Sequence, residues 1–360
     1  MRKKLLKIQT FIDKEGIDAI LIKSKSMKKW IATMTGSGCN ILITKRNGYI
    51  ILDGRYLTEA KENEHDLEIV LNNPHLTGKN YLGSVKELLL KDECHSLGVE
   101  ASVMLVKEYR QIEELDVDIR LLDDELTQLR IVKEQEEIDV MKEAIRITDE
   151  IYQNVIKEIK VGMSEYEISA LVHYYSFKAG AQQMSFDTIV ATGERTAFPH
   201  GRPTDRKVKA NEPIMIDFGI QYQNYQSDMT RMCFIGEPDP RIKEIYDVVL
   251  KAQLAGLAAI KADAFACDVD KAARDVIVEA GYGEYFYHGL GHGLGIGEDG
   301  PILNSKSQTL LKENMLMSCE PGVYVPGVGG VRIEDDVLIT NGIGVPLNKT
   351  TKDYIILEEK

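Results

Sequence analysis

Asp217 and Asp228 lie in the stretch PIMIDFGIQYQNYQSDMTR, residues 213–231, on either side of a polar turn around 222–224. Ile214, Ile216 and Phe218 alternate with other residues before the turn, and a second apolar run, 229–235, follows it. This is the pattern of a β-hairpin with one buried face. Regular pairing about that turn sets 217 opposite 228 on one side of the ribbon. Like charges directly opposite destabilise a sheet, so the pair calls for a cation, a shared proton or open solvent.

Other residues could complete a cation site. His288-Gly-Leu-Gly-His292 places two histidines among glycines too dense for a stable helix, which implies an irregular segment that approaches other backbone closely. Glu320 precedes Pro321-Gly322, which suits a ligand at a strand end. Glu334 lies in the strand-like run 331–338, and period two puts Arg332 on its face, where a guanidinium can orient a carboxylate. A lone histidine is more often structural, and either glutamate alone reads as a surface residue. Taken together, Asp217, Asp228, Glu320 and Glu334 carry four negative charges that two divalent cations would balance, and a neutral imidazole from His292 would complete the ligand set. Two cations sharing bridging carboxylates would lower the pKa of a water between them, and such a site hydrolyses an amide.

These residues need elements to hold them. The chain of 360 residues is long enough for two domains. Residues 5–15 read as an amphipathic helix; strand-like runs at 19–22, 41–44, 49–52, 67–71, 97–100 and 118–122 alternate with helical stretches around 55–63, 81–91 and 103–115. Asn47-Gly48 is a hairpin signal, and Gly36-Ser-Gly38 reads as a turn rather than a phosphate loop. That is a small α/β domain, and the expected division is 1–126 and 127–360. In the second part a long helix is expected over 134–160, with Ile138, Met141, Ile145, Thr148, Ile151, Val155 and Ile159 on one face. A helix follows from the capping box Ser164-Glu-Tyr-Glu167 to Gly180, then a strand at 187–191 and the hairpin. Helices at 241–261 and 268–280, the second ending at Gly281, repeat this order, which suggests an internal duplication with two acids contributed by each half.

The net charge of −13 argues against nucleic acid or an anionic membrane surface as partner. Five scattered cysteines without Cys-x-x-Cys spacing suggest neither a disulfide framework nor structural zinc and fit a cytoplasmic setting. The basic N-terminus lacks the apolar run of a secretory signal, and no apolar segment reaches the ~18 residues of a membrane span.

From 129 to 357 the chain closely resembles the M24 metallopeptidase family, whose members include aminopeptidase P, Xaa-Pro dipeptidase and methionine aminopeptidase. The segments that carry the resemblance are Leu129-Arg-Ile-Val-Lys133 with Glu136-Glu-Ile138, Ser185-Phe-Asp-Thr-Ile-Val190, Pro199-His-Gly201, Asp217-Phe-Gly219, Ser227-Asp-Met-Thr-Arg231, Gly289-Leu-Gly-His-Gly293, Ser318-Cys-Glu-Pro-Gly-Val-Tyr324 and Val331-Arg-Ile-Glu-Asp-Asp336. The resemblance implies a pita-bread fold, an α+β arrangement of duplicated α/β units with a dinuclear site between the halves. Leu52-Asp-Gly-Arg-Tyr56 resembles the smaller creatinase-like α/β domain that accompanies this fold in prolidase, aminopeptidase P and creatinase.

Residue by residue, the resemblance makes Asp217 a ligand of one metal, His292 and Glu320 ligands of the other, and Asp228 and Glu334 the bridges. It makes Glu320 the proton carrier, places His200 and His288 beside the substrate carbonyl, and gives Tyr324 and Arg332 the task of steadying Glu320 and the bridging carboxylate. The implied cofactors are two manganese ions, with cobalt as a substitute, the implied substrate a peptide or dipeptide with an X-Pro bond, and the implied assembly a homodimer. The chain departs from the proline-specific members at Gly297-Glu-Asp-Gly-Pro301, where those members carry a substrate-contacting histidine. Asp299 is the nearest candidate for that contact. The rival functions are M24 cleavage without proline specificity, creatinase-like C–N hydrolysis, and non-catalytic peptide binding.

Overall fold

In the computed structural model, which describes residues 2–34, 36–63, 65–73, 80–122 and 124–358, the chain forms two compact units, Met1–Leu129 and Arg130–Lys360. The first holds a six-stranded mixed sheet in the order Glu68–Leu71, Gly48–Leu52, Cys39–Thr44, Ala19–Ile22, Ser96–Glu100, Asp118–Leu122. Three of the four inner strands, Gly48–Leu52, Cys39–Thr44 and Ala19–Ile22, are buried at every position, so their sequences are largely apolar rather than alternating. Gly36 to Cys39 is a turn, closed by a 3.1 Å bond from the Cys39 amide to the Gly36 carbonyl. The helix expected over 103–115 is shorter, Val106–Ile112.

In the second unit the helix expected over 134–160 runs from Gln135 to Ile156, with a capping box between Glu134 and Glu137 at its start. Ile138, Met141, Ile145, Thr148, Ile151 and Val155 are all buried, as the 3.6-residue period requires. The Ser164 capping box is present in both directions: the Ser164 amide donates to Glu167 Oε2 at 2.6 Å, and Ser164 Oγ accepts from the Glu167 amide at 3.1 Å. Helices Glu165–Lys178 and Ala266–Glu279 are both followed by a left-handed glycine, Gly180 and Gly281. The helix pair of the first half packs with a four-stranded sheet ordered Ile355–Leu357, Met229–Ile235, Pro213–Phe218, Ile189–Thr192. The second half pairs Pro240–Ala259 with Ala266–Glu279 and supplies the sheet Leu316–Cys319, Asp335–Thr340, Ile343–Pro346 and the ribbon of Gly322–Val325 with Gly329–Arg332.

The central hairpin divides its faces between two cores. Ile214, Ile216, Phe218, Met229, Cys233 and Ile235 join the cluster built on the first helix pair. Met215, Met232 and Phe234 join the cluster built on the second. Asp217, Asp228 and Thr230 share the parity of that second set, so alternation alone aims them at the second half of the unit.

The register differs from the expected one. Asp217 pairs with Thr230, not with Asp228, because the turn is centred one residue later: Tyr222 pairs with Tyr225, and Gln223 and Asn224 are both left-handed, at φ 45° and 72°. The same register continued sets Asp228 opposite Gly219, so the two aspartates are diagonal neighbours. A side chain at 219 would sit 1.8 Å from the Ser227 carbonyl oxygen, which restricts the position to glycine.

Candidate metal centre

The second half delivers its acids by the same device. Cys319 pairs with Asp335 at the end of an antiparallel ladder, and one step beyond it Glu320 and Glu334 leave the two strands side by side. The histidine segment runs along the outer edge of Leu316–Cys319. The Ser318 amide donates to the His292 carbonyl at 2.8 Å, the His292 amide donates to Ser318 Oγ at 3.0 Å, and the Glu320 amide donates to the Leu290 carbonyl at 2.8 Å. This contact explains the glycine density, since a Cβ at Gly291 would lie 2.2 Å from the Ser318 carbonyl oxygen.

Asp217, Asp228, His292, Glu320 and Glu334 then line one cavity of about 630 Å³, together with His200, His288 and Arg332. His292 Nε2 lies 3.6 Å from Asp228 Oδ2 and 3.5 Å from Glu320 Oε1. One donor atom each from Asp228, His292 and Glu334 fall within 4.8 Å of one another. The Arg332 guanidinium binds Asp217 Oδ2, donates to Thr230 Oγ1 at 3.0 Å and Tyr324 Oη at 2.8 Å, and also holds the Pro199 carbonyl at 3.0 Å. Arg332 thus steadies Asp217, and not a Glu334 or Asp228 carboxylate as the strand period and the resemblance had implied. Glu334 is steadied by Thr230, whose hydroxyl donates to its Oε2 at 2.7 Å.

Burial, compounded by Glu334 and then Asp217, pushes the Asp228 carboxyl well above the usual carboxylate range. Glu334 is raised in the same way by burial, then Glu320 and Asp217. Glu320 is also raised by burial, against the opposing pull of His292 and Arg332. Asp217 Oδ1, Asp228 Oδ1 and Glu334 Oε1 are buried without any hydrogen-bond partner. Buried carboxylate oxygens without partners are costly unless they are ligands. The donor set of four carboxylates and an imidazole therefore fits divalent cations.

The remaining expected residues divide. His200 is exposed at the cavity wall. His288 is enclosed: its Nδ1 faces the Gly289 carbonyl at 2.7 Å and its Nε2 faces Tyr324 Oη at 2.9 Å. A carbonyl only accepts, so Nδ1 carries the proton, and Nε2 accepts from a tyrosine that itself accepts from Arg332. Burial, reinforced by Arg332, lowers the His288 pKa to about 4. Both ring nitrogens are taken, so in this arrangement His288 has no free N–H to offer a substrate oxygen, and Tyr324 serves it rather than Glu320.

Asp299 is the clearest correction. It is 2% exposed and does not line the cavity. Its oxygens accept from Arg130 Nη2 at 2.5 Å, Arg130 Nε at 3.1 Å and the Ile296 amide at 2.9 Å, and Lys133 Nζ donates to its carbonyl at 2.8 Å. Glu298 and Ile302 line the cavity instead. Thr230 and Ser318 were missed. Both lie inside the quoted motifs, but a hydroxyl beside two carboxylates gives no periodic signal.

A buried carboxylate and histidine cluster at the base of a cavity, carried by a repeated α/β arrangement, defines a metal-dependent hydrolase. Residues 139–341 match metallopeptidase family M24, and residues 4–132 match the creatinase/prolidase N-terminal domain. An Xaa-Pro dipeptidase of Pyrococcus horikoshii is 36% identical over 99% of this chain and 99% of its own. Among solved structures, an Xaa-Pro dipeptidase from Bacillus anthracis is 35% identical, with a TM-score of 0.94 and 99% of each chain covered. An X-Pro aminopeptidase from Thermotoga maritima, also 35% identical, has a TM-score of 0.88 over 95% of this chain and 98% of its own. The chain belongs to metallopeptidase family M24, with a creatinase/prolidase-type domain ahead of its pita-bread catalytic domain.

Proposed function

We propose that this metallopeptidase hydrolyses X-Pro dipeptides with two divalent cations held by Asp217, Asp228, His292, Glu320 and Glu334. The observation that carries the reading is the set of partnerless buried oxygens on Asp217, Asp228 and Glu334 at the base of the cavity. They favour it over creatinase-like hydrolysis, which has no use for such a cluster. The proline preference is supported by the full-length similarity to proteins named Xaa-Pro dipeptidase.

In this reading Asp217 would help hold one cation, His292 and Glu320 the other, and Asp228 and Glu334 would serve both. Bound cations supply Lewis-acid activation of water and of the scissile carbonyl. Arg332 and Thr230 fix the orientation of Asp217 and Glu334 before substrate arrives. Glu320, at the cavity wall with Ser318 Oγ donating to it at 3.0 Å, takes the proton from water and returns it to the leaving nitrogen. His200 is the exposed imidazole available to the carbonyl oxygen. The carboxylate-rich set suits manganese better than zinc. Five unpaired cysteines, four of them buried, support a reducing compartment such as the cytoplasm.

The test is turnover of Ala-Pro, Ala-Pro-Ala and Ala-Ala-Ala by chelator-stripped protein with manganese restored. Hydrolysis of Ala-Pro is expected. Inactivity on all three with every divalent metal would refute this reading of the site, and cleavage of Ala-Ala-Ala alone would refute the proline preference.

A further inference from the structure

The described residues lining the cavity carry six carboxylates, Asp187, Asp217, Asp228, Glu298, Glu320 and Glu334, against two guanidinium groups, Arg202 and Arg332. Arg332 is committed: it is 3% exposed and its nitrogens are taken by Asp217, Thr230, Tyr324 and the Pro199 carbonyl. Arg202 is different. Its side chain is 78% exposed, and among the described residues its ion pair, at 2.6 Å, is with Asp187, itself 73% exposed. Such an exposed pair is worth little and exchanges readily for another partner.

The base of Arg202 is held firmly. The Gly201 amide donates to the Phe198 carbonyl at 3.0 Å, the Arg202 carbonyl accepts from Arg195 Nη2 at 2.9 Å, and Pro203 keeps the backbone of Arg202 extended. Arg332 pins the same segment through Pro199. A fixed backbone thus presents a guanidinium, held only by the exposed Asp187, at the wall of a cavity otherwise dominated by acids, two positions beyond the exposed His200. A dipeptide brings one group that an acidic cavity rejects, its C-terminal carboxylate, and Arg202 is the one lining group built to receive it in a bidentate pair.

Resting on the X-Pro reading above, we infer that Arg202 binds the free carboxylate of a dipeptide and so makes the reaction that of a dipeptidase rather than an aminopeptidase. A longer peptide or an amide has no charge at that place and gains nothing from the guanidinium.

The experiment compares Ala-Pro, its C-terminal amide and Ala-Pro-Ala as substrates of the manganese-loaded wild type, Arg202→Ala and Arg202→Lys, with KM and kcat measured separately. In Arg202→Ala the preference for Ala-Pro over its amide falls by roughly tenfold, through KM, because one charge-assisted hydrogen-bonding partner is lost. Arg202→Lys restores part of it. Thermal unfolding of Arg202→Ala matches the wild type, as suits so exposed a side chain. An unaltered preference, or an equal loss on acid and amide, would overturn the role of Arg202 and leave the X-Pro reading standing. A wild type inert on all three compounds would overturn that reading and this inference with it.

Discussion

Thr230 Oγ1 donates a 2.7 Å hydrogen bond to Glu334 Oε2 and accepts one of 3.0 Å from Arg332 Nε, so one buried hydroxyl joins a strand of the first half to an acid of the second. Thr230→Val keeps the shape, removes the donor and leaves both the Glu334 oxygen and the Arg332 nitrogen unpaired. Such an outer contact is worth about 10–100-fold in metal affinity. Titration of the variant against a competing fluorescent chelator is expected to show a loss in that range with the fold intact. Wild-type affinity would mean that the hydroxyl does not set the geometry of Glu334.

Asp217 and Asp228 are predicted to respond oppositely to amidation. Asp217 is paired with the buried Arg332, whereas Asp228 Oδ1 has no partner and its carboxyl is pushed upward by burial, Glu334 and Asp217. In metal-free protein Asp217→Asn therefore costs stability, on the order of 3 kcal/mol, by leaving a guanidinium uncompensated. Asp228→Asn relieves repulsion and raises Tm by about 2–4 °C per kcal/mol gained. Both variants are expected to lose the metal-induced rise in Tm. Equal destabilisation of the metal-free protein by the two changes would contradict the partner assignments.

The cluster also sets a pH dependence. The folded pKa values of Asp228 and Glu334 lie above their unfolded ones, so the metal-free folded state holds more protons than the unfolded state over that interval. Its stability is consequently lost as pH rises from the ordinary carboxylate range through the raised values. Cation binding requires the ionised carboxylates and expels those protons. The metal-induced gain in Tm is thus larger at about pH 8 than at about pH 6, and calorimetry in buffers of different ionisation enthalpy registers proton release. A pH-independent gain with no proton release would exclude the protonated cluster.

What was legible in the sequence was local. The Ser164 capping box and the glycines Gly180 and Gly281 specify helix ends through neighbours within a few positions, and the alternation of Ile214, Ile216 and Phe218 marks one of the hairpin's two buried faces, the one turned to the first helix pair, whatever its register. The register itself was not legible. It depends on a turn whose two left-handed residues, Gln223 and Asn224, include no glycine to announce it. Thr230 was hidden by the same slip, because its place opposite Asp217 follows only from the true pairing. Arg332 was placed on the face of Glu334 by strand period, yet the strand stops at Arg332 and its guanidinium turns to Asp217. His288 was recognisable as a histidine of the site, but its engagement by Tyr324 is a tertiary fact.

Asp299 shows most sharply what long-range pairing conceals. The resemblance to the proline-specific members put it in the loop that would meet the substrate, and its partner Arg130 stands 169 residues earlier. Within the unit the two form a bidentate pair whose side chains are 7% and 3% exposed. Breaking such a pair from either side costs about 3–5 kcal/mol, because the surviving charge stays buried. Arg130→Met and Asp299→Leu are each expected to lose stability in that range, and the double variant to lose clearly less than both together, which denaturant unfolding of the four proteins measures as a coupling energy. Any fall in activity on Asp299→Leu should weigh alike on Ala-Pro and Ala-Ala-Ala, since the Asp299 carboxylate has no face on the cavity. A change of substrate preference at full stability would return Asp299 to the substrate role that its position first suggested.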